Sequence, residues 1–460
     1  MAQEHSLQTI LSIARTGATS RAWAAFIAAG YDQSGDMRAL TLKGRLLKDR
    51  ARLAAGAERQ ALFAQSAEAY EIAAAIHNDS YPLINAAAMA LFAGDKARTQ
   101  AIASRVLELI DGGVDRGETP YWGEATRAEA LLLLDRREDA EASFARAIQL
   151  APEAWEDHAA TLRQFALLTT QHGGDVRWLD RFRPPPVLHF SGMMGIASDD
   201  HDSNSAIFNA IEAIAPGFGV GALAAGSDII AAEALAARGA ELHVVLPSDP
   251  ADFRRSSVEP FGQDWATRFD ALLSGAHNLV ICGTGDVTSE ASVALADYHA
   301  MGLAAELAGQ LETRAVALRV EPVNRGERQD PWSLSGRDIQ RVAIAASAPA
   351  RALPLPQDQL RFDIVVDDGT VRTVTQLADA VAALADGRDA ITAIDCRLDG
   401  APRVAAFLAH GQPGMVAASR DAALALLACG AVQRIEPIGE MASAVGPVEL
   451  CLVVLNRAQS

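Results

Sequence analysis

The chain is poor in cysteine, aromatic residues and positive charge, and it has no long apolar run. Four cysteines, Cys282, Cys396, Cys429 and Cys451, occur in 460 residues. None forms a C-x-x-C pair and none has zinc-ligand spacing with a histidine, which excludes a disulfide scaffold and a zinc module as organising features. Cys282 and Cys451 sit within apolar runs, where cysteine behaves as a small hydrophobe. All four are expected to be reduced core thiols of a cytoplasmic protein. Lys and Arg number 40 against 58 Asp and Glu, a net charge of −18. Such a chain repels a phosphate backbone, and only two short basic stretches, 43–52 and 177–183, interrupt the acidity. Nucleic acid is therefore not an expected partner. No stretch of about 18 apolar residues is present, so no membrane span is expected. The first eleven residues are polar and mixed in charge, so a signal peptide is not expected either.

What is present is globular: half of the residues are hydrophobic and 21% are charged. A chain of this length exceeds one ordinary core and predicts two or three domains. Residues 1–180 are rich in Ala, Leu, Glu and Arg with apolar residues at three-to-four spacing, as in Ala61, Leu62, Ala64, Ala67, Tyr70, Ile72 and Ala73. Breakers at Gly56, 78–82, Gly94-Asp95, Gly112-Gly113, 117–120 and Asp135 divide this part into helical hairpins. Pro184-Pro185-Pro186 then stops the helical pattern.

Across 187–350 the periodicity alternates. Strands are expected at 187–190, 218–220, 241–246, 278–282 and 315–320. Helices are expected at 205–214, 229–238, 262–273 and 289–311. Alternation of this kind predicts a parallel, doubly wound, Rossmann-like α/β sheet. An Ala- and Pro-rich stretch at 347–359 marks a second boundary. Residues 357–460 read as a small α+β domain with strands at 362–366, 391–398 and 448–455 and helices at 374–384 and 420–427. The expected fold class is thus multidomain: an all-α helical-repeat domain, an α/β doubly wound domain and a small α+β domain.

Ligands of a doubly wound sheet bind at the carboxyl ends of its strands. Three such ends are glycine-rich. They are Ser191-Gly192-Met-Met-Gly195, the run Gly217-Phe-Gly219-Val-Gly221 to Gly226-Ser227-Asp228, and Gly283-Thr284-Gly285-Asp286. Glycine lets the backbone approach an anion, and a helix N-terminus adds unpaired N–H groups and a favourable dipole. The candidate ligand-binding set is Ser191, Gly192, Gly219, Gly221, Gly226, Ser227, Asp228, Arg254, Gly283, Thr284 and Gly285, and a nucleotide-type ligand is expected. No cofactor is firmly implied. Asp228 is expected to cap its helix, with ordering of the loop by backbone N–H bonds as the alternative. Arg254 and Arg255 reach either a phosphate or the surface carboxylates Asp249 and Asp252. Trp265, Phe269 and Leu272 are at helical spacing and read as core. His189, His201 and His243 are isolated, and Asp199-Asp200-His201-Asp202 reads as a solvated loop, so no metal is assigned.

Four resemblances add to this reading. Ala140, Phe144, Ala147 and Pro152 stand at the spacing of the second half of a tetratricopeptide repeat, with Ala125, Ala128, Leu131 and Leu132 in a degenerate first half where Glu124 replaces the common Trp. Ser80-Tyr-Pro-Leu-Ile-Asn85-Ala-Ala-Ala, Gly94-Asp95 and Tyr121-Trp122 resemble the helical TRAF-binding region of apoptosis-signal-regulating kinases, over residues 60–150. Both resemblances imply a protein partner or a second copy.

Gly219-Val-Gly221-Ala-Leu-Ala-Ala-Gly226-Ser-Asp228, Arg238-Gly239-Ala-Glu-Leu-His-Val-Val-Leu-Pro247, Asp252-Phe-Arg254-Arg-Ser-Ser-Val258, Trp265 and Arg268-Phe269 resemble the SLOG superfamily. These are Rossmann-like nucleotide or nucleotide-sugar binders related to the lonely-guy phosphoribohydrolases and the DNA-processing protein A fold. The phosphoribohydrolases carry P-G-G-x-G-T-x-x-E. Here Cys282-Gly-Thr-Gly-Asp286-Val-Thr-Ser-Glu290 keeps the glycines but places Glu290 out of register. Ligand sensing is therefore expected rather than hydrolysis. The alternative is a nucleotide-processing hydrolase using Glu290 or Asp286 as acid or base.

Ala417-Ala-Ser-Arg420-Asp421, Glu436-Pro-Ile-Gly439 and Val448-Glu-Leu-Cys-Leu-Val-Val-Leu455 resemble the end of a class III nucleotide cyclase domain. Such cyclases need two metal-binding aspartates on neighbouring strands and an N-x-x-x-R. Residues 357–460 have no N-x-x-x-R and no Asn before Asn456. The resemblance thus implies a degenerate domain used for packing or dimerisation, without cyclase activity. The expected protein is a non-catalytic signalling protein, with a pure interaction scaffold as a further alternative and a homodimer as one arrangement.

Overall fold

Helix-forming sequence interrupted by caps and left-handed residues folds the N-terminal part into successive helices. The computed structural model describes residues 6–15, 18–113, 119–282, 287–323, 330–347, 353–366, 369–386, 390–398, 402–412, 414–443 and 446–456. The chain divides into two compact units, Met1–Arg183 and Pro184–Ser460.

The first unit contains α1 (Leu7–Arg15), α2 (Thr19–Ala28), α3 (Met37–Leu53), α4 (Gly56–His77), α5 (Ser80–Ala93), α6 (Lys96–Asp111), α7 (Pro120–Leu133), α8 (Arg137–Leu150) and α9 (Trp155–Gln171). Asp36, Asp79, Asp95 and Thr119 begin α3, α5, α6 and α7 by accepting backbone N–H bonds. Asn78 and Gly94, both at positive φ, end α4 and α5. Neighbours in sequence pack as neighbours in space, α3 on α4, α4 on α5 and α7 on α8. Small residues allow the close approach. A side chain at Gly44 would meet the Tyr70 ring at 2.7 Å, and the Ser66 hydroxyl donates to the Gly44 carbonyl at 2.7 Å. Ala128, Ala140 and Phe144 are fully buried between α7 and α8, as their spacing predicts.

The second unit holds two six-stranded sheets. The first is built from β1 (Val187–Gly192), β2 (Phe218–Gly221), β3 (Glu241–Leu246), β4 (Asn278–Ile281), β5 (Ala315–Pro322) and β6 (Asp338–Ile344). All its pairs are parallel, in the order β4-β3-β2-β1-β5-β6. The helices are α10 (His201–Ile214), α11 (Ser227–Ala237), α12 (Pro250–Ser257), α13 (Gln263–Ser274), α14 (Glu290–Gln310) and the short α15 (Pro331–Leu334). One sheet face, with Leu188, Phe190, Leu242, Val244 and Leu318, packs on α10, α11 and α13 in one apolar core. The other face packs on α14. The chain winds outward from β1 to β4 and then returns through α14 to β5 on the other side of β1. The switch point of the sheet therefore lies between β1 and β5.

The second sheet contains β7 (Arg361–Val366), β8 (Val371–Val374), β9 (Thr392–Arg397), β10 (Val416–Ser419), β11 (Val432–Ser443) and β12 (Gly446–Leu455), in the order β11-β12-β10-β9-β7-β8. Only β9 and β10 pair in parallel. Its helices are α16 (Leu377–Asp386) and α17 (Arg420–Ala428). The two sheets share a helical layer. Gly302 on α14 has no side chain where Leu424 of α17 lies against it. Arg420–Glu306 and His299–Asp421 pair across the same seam. Arg337 donates to the Leu427 and Ala428 carbonyls, closing the end of α17. All four cysteines are buried and free.

Four strands, β6, β8, β10 and β11, lie where no strand is expected. The expected helix at 374–384 instead begins at Leu377, because 371–374 pair with β7 as β8.

Candidate functional site

The switch point brings together residues from five elements. His189 on β1 and Arg319 on β5 share a face of the sheet, because Ser191 is in register with Arg319. Both side chains are buried. Arg319 Nη1 donates to His189 Nδ1 at 2.7 Å. Arginine has only donors, so His189 is the neutral tautomer with its proton on Nε2. That nitrogen faces Asp297 Oδ1 of α14 at 3.5 Å. Burial, followed by the Arg319 charge, holds the His189 pKa below its ordinary value. The rest of the guanidinium is held by Asp330 and by the Met301 sulfur at 3.5 Å. Asp330 also caps α15 through the Trp332 N–H at 2.9 Å, and the Trp332 ring stacks on His189 at 5.9 Å. Every nitrogen of Arg319 thus has a partner inside the fold, and none is left for an external phosphate.

Above this layer two of the three glycine turns meet. A side chain at Gly192 would lie 2.5 Å from Ser227 Oγ and 2.7 Å from the Val320 carbonyl. Gly226, at φ +109°, lies with its Cβ position 2.7 Å from the Met193 carbonyl. Ser227 donates its backbone N–H to that carbonyl at 3.1 Å. Its hydroxyl is 3.1 Å from the same oxygen and 3.3 Å from Asp228 Oδ1. Ile229 donates to the Ala224 carbonyl at 3.4 Å. The start of α11 is therefore occupied by the protein's own carbonyls rather than presented to solvent.

Asp228 is buried beside this contact. Its carboxylate accepts hydrogen bonds from the backbone of Ala224 and Gly192, and the α11 N-cap position, Gly226, has no side-chain cap. Its expected role as a cap is thus corrected: the side chain orders the loop, the alternative reading. Burial first, and then the Asp297 charge, push its pKa up to about 7 against the pull of these hydrogen bonds.

The other residues of the candidate set are dispersed. Gly219 lies under Leu235 of α11 and Gly221 against Phe190 of the neighbouring strand β1, where the missing side chains serve close packing within the core. Arg254 is on α12, paired with Glu259 and, at 3.0 Å, with Asp270. The expected partners Asp249 and Asp252 are corrected accordingly, since α12 turns this side chain toward α13; Arg255 does pair with Asp252. Gly283, Thr284, Gly285 and Asp286 lie outside the described residues. Glu290 is exposed at the first position of α14, and its N–H donates to the Pro356 carbonyl. At the same helix start, Asp358 accepts from Ser289 Oγ at 2.7 Å and from the Ala291 N–H at 2.9 Å. Trp265, Phe269 and Leu272 are core. Asp200 caps α10 through the Ser203 N–H at 3.0 Å. Among the described residues no group of three metal-ligating side chains is assembled.

Sequence reasoning missed Arg319, Asp330 and Asp297, because strand order decides that β5 lies beside β1. It also missed a second buried polar group. Asp363 and Asp395, both fully buried, stand opposite each other on β7 and β9. Arg397 and Thr373 hold Asp363, and Arg403 holds Asp395 at 2.7 Å. Burial pushes the Asp395 pKa up while Arg403 draws it down. Each of these two buried aspartates is thus engaged by an arginine.

Among the described residues no helix is long and apolar enough to cross a membrane. No curated protein matches the chain. Among solved structures, a Thermobaculum terrenum O-GlcNAc transferase mutant matches at 13% identity and a TM-score of 0.20, over 67% of this chain and 58% of that one. The chain thus spans less than two thirds of that protein, and at this TM-score the two do not superpose as wholes. A family model described as Tetratricopeptide Repeats-Sensor matches residues 2–90. That match lies upstream of the Ala140–Phe144 pattern, and the N-terminal part of the chain is a TPR-like helical region on both counts.

Proposed function

We propose that the chain is a non-catalytic regulatory protein. Its TPR-like helices dock a protein partner, and its α/β unit reads a nucleotide-derived ligand at the β1–β5 switch point. The observation that carries the ligand part is the meeting of the Gly192 and Gly226 turns at backbone distance, at the one place in a doubly wound sheet where ligands collect. Because the start of α11 is filled by Met193, the proposed contacts are Ser191 and Gly192 at the end of β1. The SLOG and degenerate-cyclase resemblances belong to this proposal, the second sheet serving as the packing partner that couples ligand to output. Coupling requires the ligand to favour one of two arrangements.

The test is a thermal-shift series with ATP, cyclic nucleotides, NAD and ADP-ribose. A ligand at about 100 times its Kd stabilises the fold by about 2.7 kcal/mol. The expected result is a shift with one class, ligand recovered intact, and loss of the shift in Ser191→Asp. Turnover that disappears in Glu290→Gln supports the hydrolase instead. The self-satisfied start of α11 and the fully engaged Arg319 favour a second reading, a pure scaffold, and absence of any shift with partner binding intact supports it.

A further inference from the structure

Two short basic stretches interrupt the acidity of the chain, and the first unit treats them differently. In 177–183 every arginine meets a carboxylate: Arg177 pairs with Asp175, Arg181 with Glu141 and Arg183 with Asp180. The stretch 43–52 lies on α3 and is not neutralised in this way. Lys43 donates to the Asp32 carbonyl at 2.8 Å, and Arg50 lies over the Trp23 ring at 4.6 Å. The other cations, Arg45, Lys48 and Arg52, recur at three- and four-residue spacing, and Arg38 continues the row seven residues before Arg45. The helix sides that flank this row are covered. Leu42 and Leu46 belong to the core with α1 and α2, and Leu47 and Ala51 to the core with α4. The row itself is open: Arg38 is exposed, and the Arg45 and Arg52 side chains are 35% and 51% exposed.

Among the described residues, Asp49 is the one carboxylate in ion-pair range of these four cations. It stands 3.8 Å from Arg45 and 3.9 Å from Arg52, too far to accept a hydrogen bond from either. Other pairs of the same unit close to 2.7 Å, as Arg127–Asp111 and Arg136–Asp139 do. Burial first, and then the Arg52 charge, hold the Lys48 pKa down to about 8 against the pull of Asp49.

We infer that this face of α3 is the docking surface for an acidic peptide segment of a partner protein, whose Asp and Glu side chains seat on Arg38, Arg45, Lys48 and Arg52. The inference rests on the reading of the TPR-like helices as the partner-docking part and names that partner's chemistry. Charge selects the occupant. Residues 1–55 hold eight Lys and Arg against four Asp and Glu, while the rest of the chain holds 32 against 54. The acidity of the chain thus belongs to its remainder, and α3 lies in the positive part. The row runs for about 21 Å at the rise of an α-helix. About six residues of extended peptide cover that length. A nucleic acid extends beyond so short a row, and the acidic remainder repels its phosphates.

Fluorescence anisotropy of a labelled octaglutamate peptide, titrated with the full chain, tests the inference. Saturable binding that weakens with added salt is expected. Arg45→Gln combined with Arg52→Gln is expected to weaken it about tenfold at an unchanged thermal midpoint. Arg177→Gln combined with Arg181→Gln removes the same charge elsewhere and is expected to leave binding unchanged. An equal loss in both double variants, or a loss in neither, overturns the inference. If the α3 double variant does not fold, the exposed single change Arg52→Gln decides: a loss of about threefold supports the inference, and unchanged binding overturns it. Tighter binding of a ten-residue oligothymidylate than of octaglutamate assigns the face to nucleic acid and overturns it as well. Octalysine or octaglutamine bound where octaglutamate is not overturns the acidic chemistry and keeps the docking reading. Absence of binding by all three peptides overturns the inference and removes its support from that reading.

Discussion

The two sheets of the second unit both bury carboxylates, and they treat them differently. In the second sheet Asp363 and Asp395 are each paired with an arginine that reaches across from a neighbouring segment. In the first sheet the one interior arginine, Arg319, is spent on His189 and Asp330, and Asp228 is left with hydrogen bonds and a nearby carboxylate, Asp297. A paired buried charge is a fixed structural element whose disruption is costly. An unpaired one adjusts its protonation instead. The second sheet is therefore built to stay as it is, and the first carries a group that titrates near neutral pH at the edge where a ligand is proposed to bind.

The largest effect is expected where a charge pair is cut in the second sheet. Arg397→Ala leaves Asp363 buried and without its cation, and should lower stability by about 3–5 kcal/mol in urea unfolding. A loss below about 1 kcal/mol would mean that Thr373 alone satisfies Asp363 and that the contrast between the sheets is false.

Asp228→Asn should have a smaller effect, one that depends on pH. The folded pKa of Asp228 is raised to about 7 from an unfolded value near 3.9, so the folded state binds the proton more tightly. This contribution is fully present below the unfolded pKa and is lost as pH rises through about 7. The asparagine variant lacks the loss, so its stability relative to the parent should rise on the order of a few kcal/mol between about pH 4 and pH 8. Parallel pH profiles of the two proteins would place a compensating charge beside Asp228 and make the two sheets equivalent.

Glu290→Gln is the small-effect control. The side chain is exposed, and its expected contribution is the helix-dipole term of about 0.3–1 kcal/mol. A larger change would give Glu290 a role at the α14 start that its surroundings do not indicate.

Strands and helices with strong periodicity were legible in the sequence. The apolar runs of β1, β3, β5 and β12 and the long helix α14 stand close to their expected positions, because a strand buried on both faces is continuously apolar. β6 and β11 were not legible. Their exposed faces hold Asp338, Arg341, Arg434 and Glu436, so they carry no apolar run, and they exist because a neighbouring strand offers hydrogen-bond partners. The candidate site was legible only as glycines. Gly192 and Gly226 do meet, yet the same glycine signal at Gly219 and Gly221 reports close packing by Leu235 and Phe190. Sequence cannot separate these uses, since a missing Cβ admits a side chain of the protein as readily as a ligand.

Composition and local pattern were enough to settle the acidic surface, the unpaired cysteines, the helical-repeat first half and the change to alternating strands after the Pro184-Pro185-Pro186 stop. Those properties depend on residues near one another in the chain. Strand order, the β1–β5 switch point and the Arg319–His189–Asp330 network depend on which distant segments lie side by side. Only the folded backbone brings residues more than a hundred positions apart, such as His189 and Arg319, within 2.7 Å. The protonation of Asp228 and the closure of the α11 start were decided at that level, because burial and a neighbour's charge are properties of the packed interior.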